Sequence, residues 1–245
     1  MLNIHQNFCK ETFFAGQLSE FKPVYHDDFN FAYDVVDAIA KEEPDRRAMV
    51  WCNEEGEEHT FTFGDISKFS SKAANLFTRQ GIKRGDTVML VLKRHYQFWF
   101  AILGLHKIGA VGIPATNLLT KKDFIYRFGA ANVKAILCTT NGDTISHVEE
   151  ALPESPTMQI KLSVRGKRDG WISFDEELEK QPDTFLRAKT GVHDPMLLYF
   201  TSGTTGMPKM VWHDFSYPLA HIVTAKYWQN VDPDGLHLTV SDTGG

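Results

Sequence analysis

From residue 87 to residue 201, short apolar runs alternate with helical stripes, and that alternation most narrows what the chain can fold into. Residues 87–92 are nearly continuously apolar. Such a run suits a central parallel strand buried on both faces. A stripe at helical spacing follows, Phe98, Ala101, Ile102, Leu105 and Ile108, with Gly109 after its end. Residues 110–114 read as the next strand. Thr120 and Asp123 make a Thr-x-x-Asp capping box that opens a helix to about Ala131. Residues 133–139 are a third strand. Asn141-Gly142 turns into a short helix ending before Pro153, and residues 159–164 are a fourth strand. Strand, helix and strand joined by short links predict an α/β fold with a parallel sheet.

The flanks follow the same rules. Residues 1–29 are irregular and aromatic (Phe8, Phe13, Phe14, Phe21, Tyr25) and read as an arm or short helix packed on the body. Asn30 can cap a helix that buries Ala32, Val35, Val36, Ile39 and Ala40, with Pro44 at its end. Residues 47–52 and 59–63 form a hairpin around Asn53-Glu54-Glu55-Gly56. Thr62 and Asp65 make another capping box, for a helix that buries Ile66, Phe69, Ala73, Leu76 and Phe77 and stops at Gly81. Residues 165–170 are a charged turn, and Ser173 with Glu176 starts a short helix that Gln181-Pro182 ends. Residues 182–193 read as a linker. Pro195 opens a strand, where its missing N–H is tolerable. His213-Asp214 is expected to open a helix through Trp228, and residues 236–240 to form a last strand.

The chemistry lies in the stretch from Leu197 to Lys209. An apolar strand stops at Phe200, and Thr201-Ser202-Gly203-Thr204-Thr205-Gly206-Met207-Pro208-Lys209 follows. Glycine lets a backbone approach a bulky anion and adopt positive φ. Exposed N–H groups in such a turn form an anion-binding concavity. Hydroxyls add donors and Lys209 adds a positive charge. These residues predict a phosphate cradle; the bland alternative is a polar loop joining two strands. The spacing is not that of the common P-loop, because Met207 and Pro208 separate Gly206 from the lysine and no Ser or Thr follows it. Met210-Val211-Trp212 reads as strand, so Lys209 enters from a strand and not from a helix N-terminus.

Composition excludes several other classes. The net charge of −5 leaves no basic footprint for nucleic acid and gives no reason to expect an anionic membrane partner. No apolar run reaches transmembrane length. Cys9, Cys52 and Cys138 are odd in number and far apart, which indicates neither a disulfide framework nor a CxxC metal site. A reducing, cytoplasmic compartment fits them.

The stretch from Thr201 to Lys209 closely resembles the phosphate-loop signature of the adenylate-forming superfamily, which holds acyl-CoA synthetases, adenylation domains and luciferases. That signature is [ST]-S-G-[ST]-[ST]-G-x-P-K, matched here at every fixed position. Phe61-Thr62-Phe63, residues 81–88 and residues 108–114 look like the family's upstream blocks in the expected order. Ser241-Asp242-Thr243-Gly244 looks like the medium-chain acyl-CoA synthetase branch, where Trp usually follows; this chain has Gly245.

The resemblance implies a reaction in two halves. A carboxylate attacks the α-phosphate of ATP, giving an acyl-adenylate and pyrophosphate, and the thiol of coenzyme A then displaces AMP. It implies ATP with Mg²⁺ and coenzyme A as cofactor and co-substrate, and a carboxylic (fatty) acid as substrate. The loop residues Thr201, Ser202, Gly203, Thr204, Thr205, Gly206, Met207, Pro208 and Lys209 would hold the phosphates. None is a nucleophile, and no catalytic or metal-ligating residue is assigned. The family's Mg²⁺-holding acid, ribose-binding aspartate and lid lysine lie later in the chain, and no stretch here matches them. The expectation is therefore the parallel-sheet-rich, incomplete part of a large N-terminal domain. Residues 1–30 would be an arm, residues 31–245 an incomplete ATP-binding domain, and the C-terminal lid would be absent. Such a chain is expected not to turn over alone.

Other residues weigh less. His213 matches a histidine common in the family, but a helix-start or loop-packing role is favoured over proton transfer. Core packing is the default for Phe98, Trp99 and Phe100, as solvation is for Lys167-Arg168. His106, His221 and His237 share no metal-ligand spacing. Cys138 has no basic neighbour in sequence. Two other functions compete: an adenylation domain that loads a carrier protein, and a truncated, non-catalytic nucleotide-binding module. An unfinished sheet should expose an edge or apolar patch. That predicts a homo-oligomer or the N-terminal arm folded over the gap, and the truncated module could instead pair with a separately encoded C-terminal remainder.

Overall fold

The computed structural model describes residues 2–202 and 206–244. A 3₁₀ turn at Ile4–Asn7 leads into β1 (Cys9–Phe14) and β2 (Gln17–Pro23), an antiparallel hairpin. The irregular arm or short helix expected here is therefore corrected. Ala15 and Gly16 close the hairpin at φ 48° and 79°. Two consecutive positive φ values match the twist of a two-residue hairpin turn. Alanine rarely takes that conformation, so the turn sends no Asn-Gly or Asp-Gly signal.

A π-helical turn at Ala32–Asp37 runs into α1 (Ala38–Glu42). Asn30 satisfies its start, with Oδ1 accepting from the Ala32 N–H at 3.1 Å. Next come β3 (Arg47–Cys52) and β4 (Glu58–Thr62), paired antiparallel, and α2 (Phe63–Arg79). The Thr62–Asp65 capping box is present in both directions.

The main sheet begins with β5 (Thr87–Val91), followed by α3 (Gln97–Ile108), β6 (Val111–Pro114), α4 (Lys121–Ala130), β7 (Ala135–Thr139), α5 (Thr144–Ala151) and β8 (Ile160–Val164). Gly109 ends α3 at φ 77°, and the Thr120–Asp123 box starts α4. A two-residue strand not legible in the sequence, β9 (Ile172–Ser173), precedes α6 (Phe174–Glu179). Then come β10 (Pro195–Thr201), β11 (Lys209–Asp214), α7 (Tyr217–Val223) and a π-helical turn at Thr224–Trp228.

Among the described residues these strands form one sheet in the order β11-β10-β6-β5-β7-β8-β9. Every neighbouring pair from β10 to β9 is parallel, and β11 alone is antiparallel. The sheet is wound on both faces. Val88, Leu90 and Leu92 enter the core that α2 and α3 cover, while Met89 and Val91 enter the one that α4 and α5 cover. This two-residue alternation is why the 87–92 run must be apolar throughout. On the second face Phe124 and Phe128 are fully buried, one helical turn apart, with ring centroids 5.5 Å apart. Burying each such side chain contributes roughly 1.5–3 kcal/mol, and together they fix α4 to the sheet.

Two further expectations are corrected. His213 and Asp214 end β11 and do not open the helix, which starts at Tyr217. Residues 236–240 form no strand, and Leu236, Leu238 and Val240 are largely exposed. Their alternation fits a strand, but pairing needs a neighbouring strand as well. Beyond them, Thr243 donates its hydroxyl hydrogen bond to the Lys93 carbonyl at 2.7 Å. The N-terminal hairpin packs toward the π-helical turn after α7, where Lys226 and Tyr227 hold Glu11. Met210, Val211 and Trp212 on β11 stay exposed.

Candidate functional site

The carboxyl ends of the parallel strands point to one edge of the sheet, the edge where α/β sheets bind ligands. β10 reaches that edge at Thr201, the chain turns, and β11 returns antiparallel from Lys209. Thr201 and Lys209 are direct cross-strand partners. A lysine entering from a strand, as the sequence implies, is therefore what the fold shows.

Of the sequence-predicted loop residues, Gly203, Thr204 and Thr205 lie outside the described residues. Thr201, Ser202, Gly206, Met207 and Lys209 are exposed, and Pro208 is half-buried. Gly206 has φ 133° with open space around its Cα, so its conformation and not crowding calls for glycine. Lys209 has no carboxylate partner among the described residues, which leaves its ammonium available to an anion. The donor set is hydroxyl, backbone N–H and ammonium, all of which suit phosphate oxygens. A divalent cation needs carboxylate or other oxygen ligands. Among the described residues no three metal-ligating side chains converge. The described groups of the loop suit phosphate oxygens better than a metal ion.

Helix α4 supports the base of this hairpin. The Tyr126 hydroxyl donates to the Pro208 carbonyl at 2.8 Å. The Tyr126 ring meets Phe200 edge-on at 6.2 Å, and the Arg127 guanidinium lies 5.2 Å from the centroid of the same ring. Burial lowers the Arg127 pKa, partly offset by Asp123. Sequence reasoning placed both residues on a helix but gave them no role. Tyr126 and Pro208 are 82 positions apart, so no local pattern announces the contact.

The remaining candidates fall elsewhere. His213 pairs with Leu197, four ladder positions below Thr201 and about 13 Å along the strand. Its ring packs between Tyr199 at 5.9 Å and Tyr217 at 4.0 Å. It lines an open groove of about 420 Å³ with His193, Pro195, Trp212, Asp214 and Tyr217. Asp214 there accepts from the Ser216 hydroxyl and pairs with His193 Nδ1 at 2.8 Å. Phe98 and Phe100 are core residues, as expected, while Trp99 is exposed. Lys167 and Arg168 are paired with Glu176 and Glu149 on the protein's own surface. Burial pushes the Cys138 thiol up to about 12, which removes it as a nucleophile.

Residues 36–242 match the family described as "AMP-binding enzyme". Acyl-coenzyme A synthetase ACSM4, mitochondrial, of Rattus norvegicus is 35% identical over 225 residues, covering 89% of this chain and 38% of the relative. Acyl-coenzyme A synthetase ACSM5, mitochondrial, of the same organism is 38% identical over 226 residues, covering 88% and 38%. The chain therefore spans well under half the length of these relatives. The fold is similar to the crystal structure of Brucella canis acyl-CoA synthetase, with a TM-score of 0.79 at 20% identity over 90% of this chain and 40% of that one. It is also similar to the anthranilate CoA ligase AuaEII solved with anthranoyl-AMP, with a TM-score of 0.71 at 21% identity over 86% and 39%.

Proposed function

Because the chain belongs to the AMP-binding enzyme family, most like its acyl-CoA synthetases, we propose that it supplies the phosphate-holding part of an ATP-dependent acyl-CoA synthetase. The observation that carries this reading is the Thr201–Lys209 pair at the carboxyl edge of the sheet, with a lysine that has no carboxylate partner among the described residues and a glycine at φ 133° beside it. Thr201, Ser202 and the amides of the loop donate to the β- and γ-phosphates, and Lys209 neutralises charge that builds on the leaving pyrophosphate. Donors fixed before the reaction stabilise that charge at little reorganisation cost. Gly203, Thr204 and Thr205 join them on the strength of the signature. The nucleophile is the substrate carboxylate; coenzyme A is the later acceptor. Mg²⁺, when bound with the nucleotide, adds further neutralisation of phosphate charge.

The chain of 245 residues is proposed to bind nucleotide without adenylating an acid by itself, because no stretch in it matches the family's later acid, ribose aspartate or lid lysine. Residues 1–30 serve as a hairpin arm and residues 31–245 as an incomplete ATP-binding domain. The exposed Met210, Val211 and Trp212 on β11 suit a covering surface, either a second copy of the chain or further residues of the same fold. Three free cysteines fit a reducing interior. The relatives' mitochondrial names fit that chemistry as well as a cytoplasmic site does, so cysteine usage does not choose between them. Among the described residues no helix is long and apolar enough to cross a membrane.

Calorimetry with ATP tests the reading. The wild-type chain should bind, and Lys209→Ala should weaken binding about tenfold or more, the scale of one charge-assisted hydrogen bond. Equal binding by the two proteins would reduce the loop to a connection between strands. ATP–pyrophosphate exchange by the chain alone, with any carboxylic acid, would overturn the proposed dependence on further residues.

A further inference from the structure

We propose that Tyr126 is a positioning residue for the phosphate loop, acting through the Pro208 carbonyl. The inference rests on the phosphate-binding reading above and extends it to a residue outside the signature. Two observations meet at this side chain. Its hydroxyl donates to the Pro208 carbonyl at 2.8 Å, and its ring lies against Phe200. Phe200 is the penultimate residue of β10, and Pro208 directly precedes β11. One side chain thus touches both limbs of the hairpin at the mouth of the loop.

The support behind Tyr126 is rigid. Phe124 and Phe128, on either side of it along α4, are fully buried in the second core. Arg127, the next residue, covers Phe200 at 5.2 Å and is anchored by its own hydrogen bond to the Asp123 carbonyl. Asp123 in turn belongs to the capping box that starts α4. The helix is therefore fixed at its N-terminus and along its buried face, and the hydroxyl is presented from a helix anchored in the core.

The Pro208 carbonyl lies one residue outside the ladder, where no strand partner is paired with it. Proline has no N–H, so this carbonyl is the only backbone hydrogen-bonding group residue 208 offers. The ladder closes at Lys209, and the Tyr126 bond takes up the next carbonyl along the chain. Fixing that carbonyl sets the direction in which the backbone leaves toward Met207 and Gly206, and the point from which the Lys209 side chain starts. A site built to hold phosphate oxygens loses affinity when its donors are allowed to wander. Tyr126 does not touch the nucleotide in this scheme.

Tyr126→Phe removes one oxygen and keeps the ring against Phe200, so the fold is retained. Two measurements on the full chain read the effect. In calorimetry, ATP affinity should fall about fivefold, the scale of one lost hydrogen bond, while AMP affinity stays unchanged, because the loop serves the β- and γ-phosphates. In amide hydrogen exchange without nucleotide, Met207 and Lys209 should exchange severalfold faster while β5 and β7 keep wild-type protection. Equal weakening of ATP and AMP would mark a general structural role and overturn the proposal. Wild-type affinity together with wild-type exchange at Met207 and Lys209 would also overturn it. Lys209→Ala, run alongside, separates the two layers. If Lys209→Ala loses ATP and Tyr126→Phe does not, only the positioning role falls. If Lys209→Ala has no effect, the phosphate reading falls, and the positioning role falls with it.

Discussion

Thr201 and Lys209 close the β10–β11 ladder directly opposite one another, so the chain leaves and re-enters the sheet at a single pair. Gly206 takes φ 133° on the return path. A side chain held there is strained by roughly 1–3 kcal/mol. The loop relaxes by abandoning that conformation, because nothing crowds Gly206 and its described neighbours Ser202 and Met207 are exposed. Gly206→Ala should therefore weaken ATP binding about tenfold while lowering Tm by no more than a few degrees. Calorimetry and thermal unfolding on the same preparation check this. A large fall in Tm with unchanged affinity would assign the glycine to folding.

The Thr62–Asp65 capping box is a separate, purely structural prediction. Thr62 Oγ1 accepts from the Asp65 N–H at 3.1 Å, and Asp65 Oδ2 accepts from the Thr62 N–H at 2.9 Å. Thr62 is also the last residue of β4, so one residue ends a hairpin and starts α2. Thr62→Ala should cost about 1 kcal/mol in urea unfolding with an unchanged m-value. Nucleotide affinity should not move, since α2 lies on the face of the sheet away from α4.

These cases show why some features are legible in the sequence and others are not. Both capping boxes, the buried run at β5 and the β3–β4 hairpin are written within a few residues, because their hydrogen bonds or burial repeat over that distance. The strand ends flanking the loop, Thr201 and Lys209, were legible because an apolar run stops at Phe200 and another begins after Pro208. The β1–β2 hairpin was not: Ala15 takes a positive φ that alanine seldom adopts, and Phe13 and Phe14 point to solvent instead of marking a core face. Residues 236–240 carry a strand pattern, yet pairing depends on a neighbour that the pattern cannot specify. Tyr126 had no signal at all, since its partner is remote in sequence and its stripe position reads as ordinary helix.

A buried cation holds α3 to the helices around it. Lys107 Nζ is almost wholly buried and meets Asp37 Oδ1 at 2.9 Å, Ser71 Oγ at 2.9 Å and the Ser67 carbonyl at 3.3 Å. Burial lowers the Lys107 pKa, and Asp37 raises it back in part. Asp37→Ala leaves the ammonium without its counter-charge and should cost about 3 kcal/mol, the low end for a buried pair because Asp37 is partly solvated. Lys107→Met, which removes the charge and keeps the length, should cost less. Urea unfolding of both variants checks the order, and the reverse order would show that the cation itself stabilises the packing.

Acid stability should be governed first by two buried histidines. Burial lowers His106 from 6.5 to about 3, and both ring nitrogens lack a hydrogen-bond partner among the described residues. Burial, helped by the charges of Arg165 and Lys93, lowers His95 to about 4; its Nε2 lies 2.8 Å from Thr139 Oγ1. Both are neutral in the folded protein at pH 6, while the unfolded chain begins to bind protons at about 6.5. The unfolded state then holds more protons, so stability falls as pH drops below 6.5 and stops falling from this source below about 3. Each histidine contributes up to about 1.4 kcal/mol per pH unit in that window. Carboxylates held low by ion pairs, such as Glu57 at about 2 beside Arg165, act only below about 4.5, because the unfolded value is near there. The interval from pH 6.5 to 5 therefore isolates the histidines. His106→Phe fills the space beside Phe215 with an apolar ring and removes one of the two proton sites. Relative to wild type, the variant should gain about 2 kcal/mol between pH 7.5 and pH 5 in urea unfolding. Parallel stability curves over that range would show that His106 is protonated alike in both states, and would sink the assignment.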